Sequence, residues 1–178
     1  RPNELLCEIR FPALREDQRG LFIKLGLRRA QAISVVDIAI VVTLGDGSWQ
    51  IGDGAMQHHL PTRISDLPVS EARITLGCLA PTIVRAPTAE AYLRGRPLTP
   101  DVCAEAGRLA CADVAPIDDV RGSASYRLAT LANLVADGLR RIAEGRERAG
   151  WPERPVLLET TDARRPTNDA TSDERPMT

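Results

Sequence analysis

Lysine is almost missing from this chain of 178 residues: Lys24 stands alone, and every other basic side chain is arginine. Aromatic residues are equally scarce, with two each of Trp, Tyr and Phe. So few rings leave no platform for stacking unpaired bases. Basic excess is lacking too, since 23 Lys and Arg face 24 Asp and Glu for a net charge of -1. A nucleic-acid partner is excluded on that balance, because phosphate neutralisation needs surplus cations. The longest nearly apolar run, residues 33–44 (ISVVDIAIVVTL), is broken by Asp37 and falls short of the ~20 residues of a membrane span. Close cysteine pairs are absent, so Cys7, Cys78, Cys103 and Cys111 read as small buried hydrophobes rather than zinc or cluster ligands. Reduced thiols suit a cytoplasmic setting. The chain opens Arg1-Pro2-Asn3-Glu4 without Met or an apolar stretch; the expectation is a fragment without a secretory signal.

What is present is a composition of 43% hydrophobic and 26% charged residues, enough for one domain with a core. Residues 5–11 (LLCEIRF) alternate, with Leu5, Cys7, Ile9 and Phe11 on one side and Leu6, Glu8 and Arg10 on the other. That predicts a strand ended by Pro12. A second short strand is expected over residues 21–25, around Lys24. The β-branched run at 33–44 predicts a strand buried on both faces at the centre of the sheet. Gly45-Asp46-Gly47 signals a turn, and the polar stretch that follows to Pro68 reads as a loop or insertion. A further strand is expected at 71–79, where Ala72, Ile74, Leu76 and Cys78 alternate with Arg73, Thr75 and Gly77. It should pair with 33–44.

Helical signals follow. Thr88 is the expected N-cap of a short helix, with Glu90 in its first turn and Gly95 past its end. Thr99-Pro100-Asp101 opens a second helix whose apolar stripe is Val102, Ala106, Leu109 and Ala110, stopped by Pro116. A third begins near Ser123, sets Leu128, Leu131, Val135, Leu139 and Ile142 on one face, and ends at Gly145. Strands followed by helices predict an α+β domain: a mainly antiparallel sheet of three to four strands with about three helices on one face. The domain is expected over residues 1–146, and residues 147–178, rich in Pro, Thr, Asp, Glu and Arg, read as a mobile tail.

Chemistry-bearing motifs are few. His58-His59 are adjacent, so their side chains diverge in extended chain, and no cysteine lies near them; they predict no metal site. Asp118-Asp119 precede Arg121-Gly122-Ser123, where carboxylates complement the start of a helix rather than form an acid/base pair. Gly45-Asp-Gly47 and Gly52-Asp-Gly54 lead into no Lys-Ser/Thr helix start and read as turns, not phosphate loops. No catalytic residue emerges. Lys24 is the one chemical candidate, because a compact ammonium suits a phosphate or a cofactor carbonyl oxygen better than a planar guanidinium. Arg28-Arg29 beside it add positive potential.

Four stretches occur in order: residues 24–39 (KLGLRRAQAISVVDIA), 72–82 (ARITLGCLAPT), 84–86 (VRA) and 118–127 (DDVRGSASYR). Together they resemble the C-terminal domain of the FAD-binding medium subunit of molybdenum hydroxylases, the xanthine dehydrogenase and carbon monoxide dehydrogenase family. The resemblance covers about residues 3–145. It implies an oxidoreductase complex in which electrons pass from a molybdopterin-binding large subunit through [2Fe-2S] clusters on a small subunit to FAD and then to an external acceptor. Most FAD contacts would come from an N-terminal domain that this chain lacks. The positions that match the family's flavin wall are Leu6, in the strand before Pro12, and Lys24. The isolated chain is not expected to catalyse. The competing expectation is a non-catalytic subunit-interaction module of the same fold, without flavin. The sequence departs from the family pattern in the extra residues around Trp49 to Pro68 and in the tail.

Overall fold

A computed structural model describes residues 3–28, 31–45, 48–50, 56–58 and 63–150. Its centre is an antiparallel sheet of four strands in the order β1-β2-β5-β6: β1 (Gln18–Gly26), β2 (Ser34–Leu44), β5 (Val69–Gly77) and β6 (Val84–Arg85). Between β2 and β5 lies a small hairpin of β3 (Ser48–Gln50) and β4 (Met56–His58), paired Ser48 to His58. Three helices follow: α1 (Pro87–Leu93), α2 (Pro100–Ala110) and α3 (Ala124–Ala143). The α+β class, the antiparallel sheet and the pairing of the 33–44 strand with the 71–79 strand agree with the sequence reading.

Strand β2 is central because its alternate residues Val36, Ile38, Ile40 and Val42 are fully buried, and β-branched side chains pack well on a pleated surface. They meet Leu21 of β1, Ala72, Ile74 and Leu76 of β5, and a helical layer contributing Leu93, Ala106, Leu131, Val135, Leu139 and Ile142. Helix α3 lies across β1 and β2, α1 lies against β5, and α2 packs on α3. Two glycines set those distances. A Cβ at Gly138 would meet the Cδ1 of Ile40 at 2.9 Å, and one at Gly107 would run into the backbone carbonyl of Ala132. Both helices approach closely only because those side chains are missing.

The caps of α2 and α3 follow local chemistry. Thr99 Oγ1 accepts from the Val102 N–H at 3.3 Å, and Ser123 Oγ accepts from the Tyr126 N–H at 3.2 Å. At the far end of α3, Gly145 takes φ +66°. Its N–H reaches the Ile142 carbonyl at 3.0 Å while the Arg146 N–H reaches Arg141 at 2.7 Å, closing the helix as a Schellman motif.

Several sequence expectations need correction. Residues 5–11 form no strand; they are exposed, because no edge among the described residues pairs with them. Thr88 lies inside α1 rather than capping it, and Ala86, the N-cap, offers no side-chain bond. The Thr88 hydroxyl and N–H both donate to Asp113, at 2.9 and 3.0 Å. Glu90 accepts from the Ile74 N–H and from Arg85, each at 2.7 Å, so it ties the helix to the sheet. The buried stripe of α2 is Cys103, Ala106, Gly107 and Ala110, with Val102 and Leu109 half-buried at its margins. The short strand β6, which extends the sheet past β5, was not expected. The stretch read as loop after Gly45 carries the β3–β4 hairpin. Arg29, His59, the turns at Asp46-Gly47 and Gly52–Gly54, and residues 151–178 of the tail lie outside the described residues.

Candidate functional site

The helices cover one face of the sheet; the other carries the polar and chemical side chains. On β1, Leu21, Ile23 and Leu25 turn inward, so the period of two turns Phe22 and Lys24 outward, where both are exposed. On β2 the same alternation brings Asp37, Ala39 and Val41 to this open face. Cross-strand register sets Lys24 opposite Asp37 and Asp37 opposite Gly77, making one row over three strands. Lys24 makes no hydrogen bond or ion pair with any described residue.

Gly77 is the small member of that row for a steric reason: a Cβ there would overlap the Asp37 carboxylate. The chain then turns sharply at Cys78, which takes φ +64°, a left-handed conformation that costs a non-glycine residue on the order of 1 kcal/mol. Two contacts hold it there. The Cys78 thiol donates to Asp37 at 3.6 Å, and the Cys78 carbonyl accepts from Arg127 Nη1 at 2.7 Å. Burial first, and the neighbouring Asp37 charge second, push the Cys78 thiol up from its ordinary value. It is therefore held protonated and is a poor nucleophile.

Arg127 is the anchor of this end of the sheet. It is 2% exposed and sits in the first turn of α3 on the same stripe as Leu131 and Val135. Its Nη2 pairs with Asp119 at 2.5 Å. Asp119 also accepts from Arg121 Nη2 at 2.5 Å, Arg121 Nε at 3.0 Å and the Arg121 N–H at 2.8 Å. These donors, led by the Arg121 guanidinium, hold the Asp119 carboxyl far below the usual carboxylate range. Arg121 reaches the Ser34 carbonyl at 3.5 Å, linking the loop to the start of β2. Asp118 does something different: it accepts from the Ala124 N–H at 2.6 Å, supplementing the Ser123 cap. The expectation that this pair complements a helix start holds for Asp118, whereas Asp119 joins a partly buried ion-pair network around the buried Arg127.

At this row the Cys78 thiol that meets Asp37 is held protonated. Among the described residues no group of side chains could hold a metal ion. What the face offers is an ammonium with no partner among the described residues, beside apolar Phe22, Ala39 and Val41 on a strand row. Of the residues singled out from the sequence, Lys24 lies in this row. Leu6 lies on the separate N-terminal segment and is 76% exposed; the structure does not bring the two together. Asp37, Cys78 and Arg127 were missed. Asp37 was legible as a charge interrupting an apolar strand. Arg127 was legible as a cation four residues before Leu131 on the apolar stripe, a position that requires a buried carboxylate partner.

The model of the CO dehydrogenase flavoprotein C-terminal domain matches residues 22–142. Among solved structures, carbon monoxide dehydrogenase from Hydrogenophaga pseudoflava is 27% identical with a TM-score of 0.56, the match covering 76% of this chain and 39% of that one. CO dehydrogenase from Oligotropha carboxidovorans is 24% identical with a TM-score of 0.58, covering 76% and 40%. Quinoline 2-oxidoreductase from Pseudomonas putida 86 is 22% identical with a TM-score of 0.54, covering 73% and 38%. The latter two show the fold alone. This chain thus spans about two fifths of the length of these solved relatives. Among curated proteins no match is found. Among the described residues no helix is long and apolar enough to cross a membrane.

Proposed function

The chain belongs to the CO dehydrogenase flavoprotein C-terminal domain family, and from that premise we propose that it forms the flavin-facing C-terminal part of the FAD subunit of a molybdenum hydroxylase. The observation that carries the reading is Lys24: the sole lysine of the chain, lying within the matched residues, exposed on the open sheet face and without a partner there among the described residues. An exposed ammonium beside the apolar surface of Phe22, Ala39 and Val41 fits a group that combines a flat ring with carbonyl oxygens.

FAD, when bound, supplies exchange of electrons between one-electron and two-electron carriers. The residues of this chain would position it. Lys24 would donate N–H bonds to an oxygen of the cofactor and would supply positive charge beside it. Asp37, directly across the strand pair, is engaged by the Cys78 thiol and leaves the lysine free for a ligand. The Arg127–Asp119–Arg121 network fixes the end of β5 and thereby Gly77, whose missing Cβ leaves Asp37 room. Leu6 would contribute apolar contact from the N-terminal segment. Partners on this reading are a molybdopterin-binding large subunit and a [2Fe-2S] small subunit, with most FAD contacts made outside this chain and electrons leaving to an external acceptor.

The test is Lys24→Ala and Lys24→Arg in the complete flavin subunit. The alanine variant is expected to lose FAD on desalting or to slow flavin reduction with an unchanged circular dichroism spectrum, and the arginine variant to restore part of the loss. Unchanged flavin content together with unchanged reduction kinetics overturns the role. A second reading, a subunit-interaction module without flavin, is favoured by exposed Leu27, Ile33 and Val120 at one end of the sheet. A complete complex that carries no flavin would establish that reading instead.

A further inference from the structure

Residues 5–11 have the pattern of a strand without the pairing of one. Leu5, Ile9 and Phe11 on one side are 86, 73 and 84% exposed, and Leu6 on the other is 76% exposed. Glu8 and Arg10, two residues apart, pair at 2.7 Å. Among the described residues, no backbone N–H of this segment has a hydrogen-bond partner. A row of exposed apolar side chains beside a row of free donors is the signature of a strand awaiting an edge.

The domain's own edge is not that partner. Strand β1 is an outer strand of the sheet, yet the segment does not lie along it. A turn in which the Gln18 N–H reaches the Arg15 carbonyl at 3.0 Å reverses the chain just before β1. Leu14 then lies over Gly20, where an added Cβ would meet its Cδ1 at 3.1 Å and Val41 Cγ2 at 3.3 Å. Val41 belongs to the open face, so Leu14 lies on the side of the sheet that carries Lys24.

We propose that residues 5–11 form a β-strand by pairing with a free sheet edge in the part of the flavoprotein that lies outside this domain. The Leu5, Cys7, Ile9 and Phe11 side enters the core there. The solved relatives carry the larger part of their chains outside the region matched here, which supplies a partner of the required size. The inference rests on family membership and not on Lys24 touching flavin.

The experiment is amide hydrogen exchange on this chain alone and on the complete complex isolated from its source through a tag at the C-terminus of this chain, with maleimide labelling of Cys7, the exposed thiol, as a second readout. Amides 5–11 are expected to exchange freely in the isolated chain and about 100-fold more slowly in the complex, with Cys7 labelling slowed in parallel. Ile9→Pro, which removes a donor, is expected to weaken complex recovery without lowering the melting temperature of the isolated chain. Free exchange in the complex overturns the proposal, and so does a tagged chain recovered alone. Protection in the isolated chain would mean pairing on its own sheet, or with a second copy if it rises with concentration; either result also overturns it. A complex in which 5–11 are protected but no flavin is present would sink the flavin reading and leave this one standing.

Discussion

Two segments of this molecule carry the sequence signature of a strand, and they meet opposite fates. Strand β2 and residues 5–11 are both rich in Ile, Val, Leu or Phe at alternate positions. Yet Ile38 and Ile40 are fully buried while Ile9 is 73% exposed. The difference lies in neighbours: β2 has β1 on one side, β5 on the other and α3 across its face, and the N-terminal segment has none of these. Strand propensity is a statement about a surface that fits between others, and it yields a strand only where those others exist.

The comparison is broken most directly by placing a charge in each segment. Ile40→Asp is expected to abolish the cooperative unfolding transition, because it buries an unpaired carboxylate between sheet and helix α3. Ile9→Asp in the isolated chain is expected to change stability by less than about 0.5 kcal/mol. Urea titrations of the two proteins decide it. Helix Leu139→Asp belongs with the first of these.

A smaller effect is expected at the strand row on the open face. Gly77→Ala should cost about 1–3 kcal/mol by overpacking against Asp37, and Asp37→Ser should recover part of that loss in the double variant, as a double-mutant cycle would read. The residues 5–11 segment has no such jigsaw position.

Acid should separate the ion-pair end of the sheet from the rest. Asp119 has its folded pKa depressed, so its contribution is present above the ordinary carboxylate value and is lost as pH falls toward the depressed one. Asp119→Asn is therefore expected to flatten the fall in urea midpoint between about pH 5 and about pH 2 relative to the parent protein. The smallest effect is chemical. Burial pushes the Cys103 thiol up to about 11, so at mildly alkaline pH a disulfide-exchange reagent should titrate Cys7 at once and Cys103 only on unfolding.

Much of the fold was legible because its signals are local. The Ser123 and Thr99 caps, Pro100 in the first turn of α2, Gly145 past the end of α3 and the Leu131–Val135–Leu139–Ile142 stripe each concern residues within a few positions of one another. The central strand was legible because residues 33–44 are β-branched and nearly all apolar. The expected burial on both faces holds for one only: Asp37, Ala39 and Val41 lie half-buried on the open face, which the helices do not cover. Thr88 misled because a hydroxyl near a helix start has two available partners, and Asp113, 25 residues on, captured it. The candidate site was half legible: Lys24 stands out by composition, whereas its row with Asp37 and Gly77 depends on the register of three strands.

The amino-acid sequence by itself determined the central strand and its pairing with β5, that helices follow the sheet, where α2 and α3 begin, where α3 ends, and which residues are apolar enough to form a core. Those are consequences of backbone propensity, capping and side-chain period, all settled within one segment. Tertiary structure alone decided that Glu90 ties a helix to β5, that Arg127 is buried on Asp119 and the Cys78 carbonyl, that Cys78 bends into a left-handed conformation, and that residues 5–11 remain unpaired. Each of these requires two distant segments to meet, and a hydrogen bond, an ion pair or a sheet edge belongs to both partners at once.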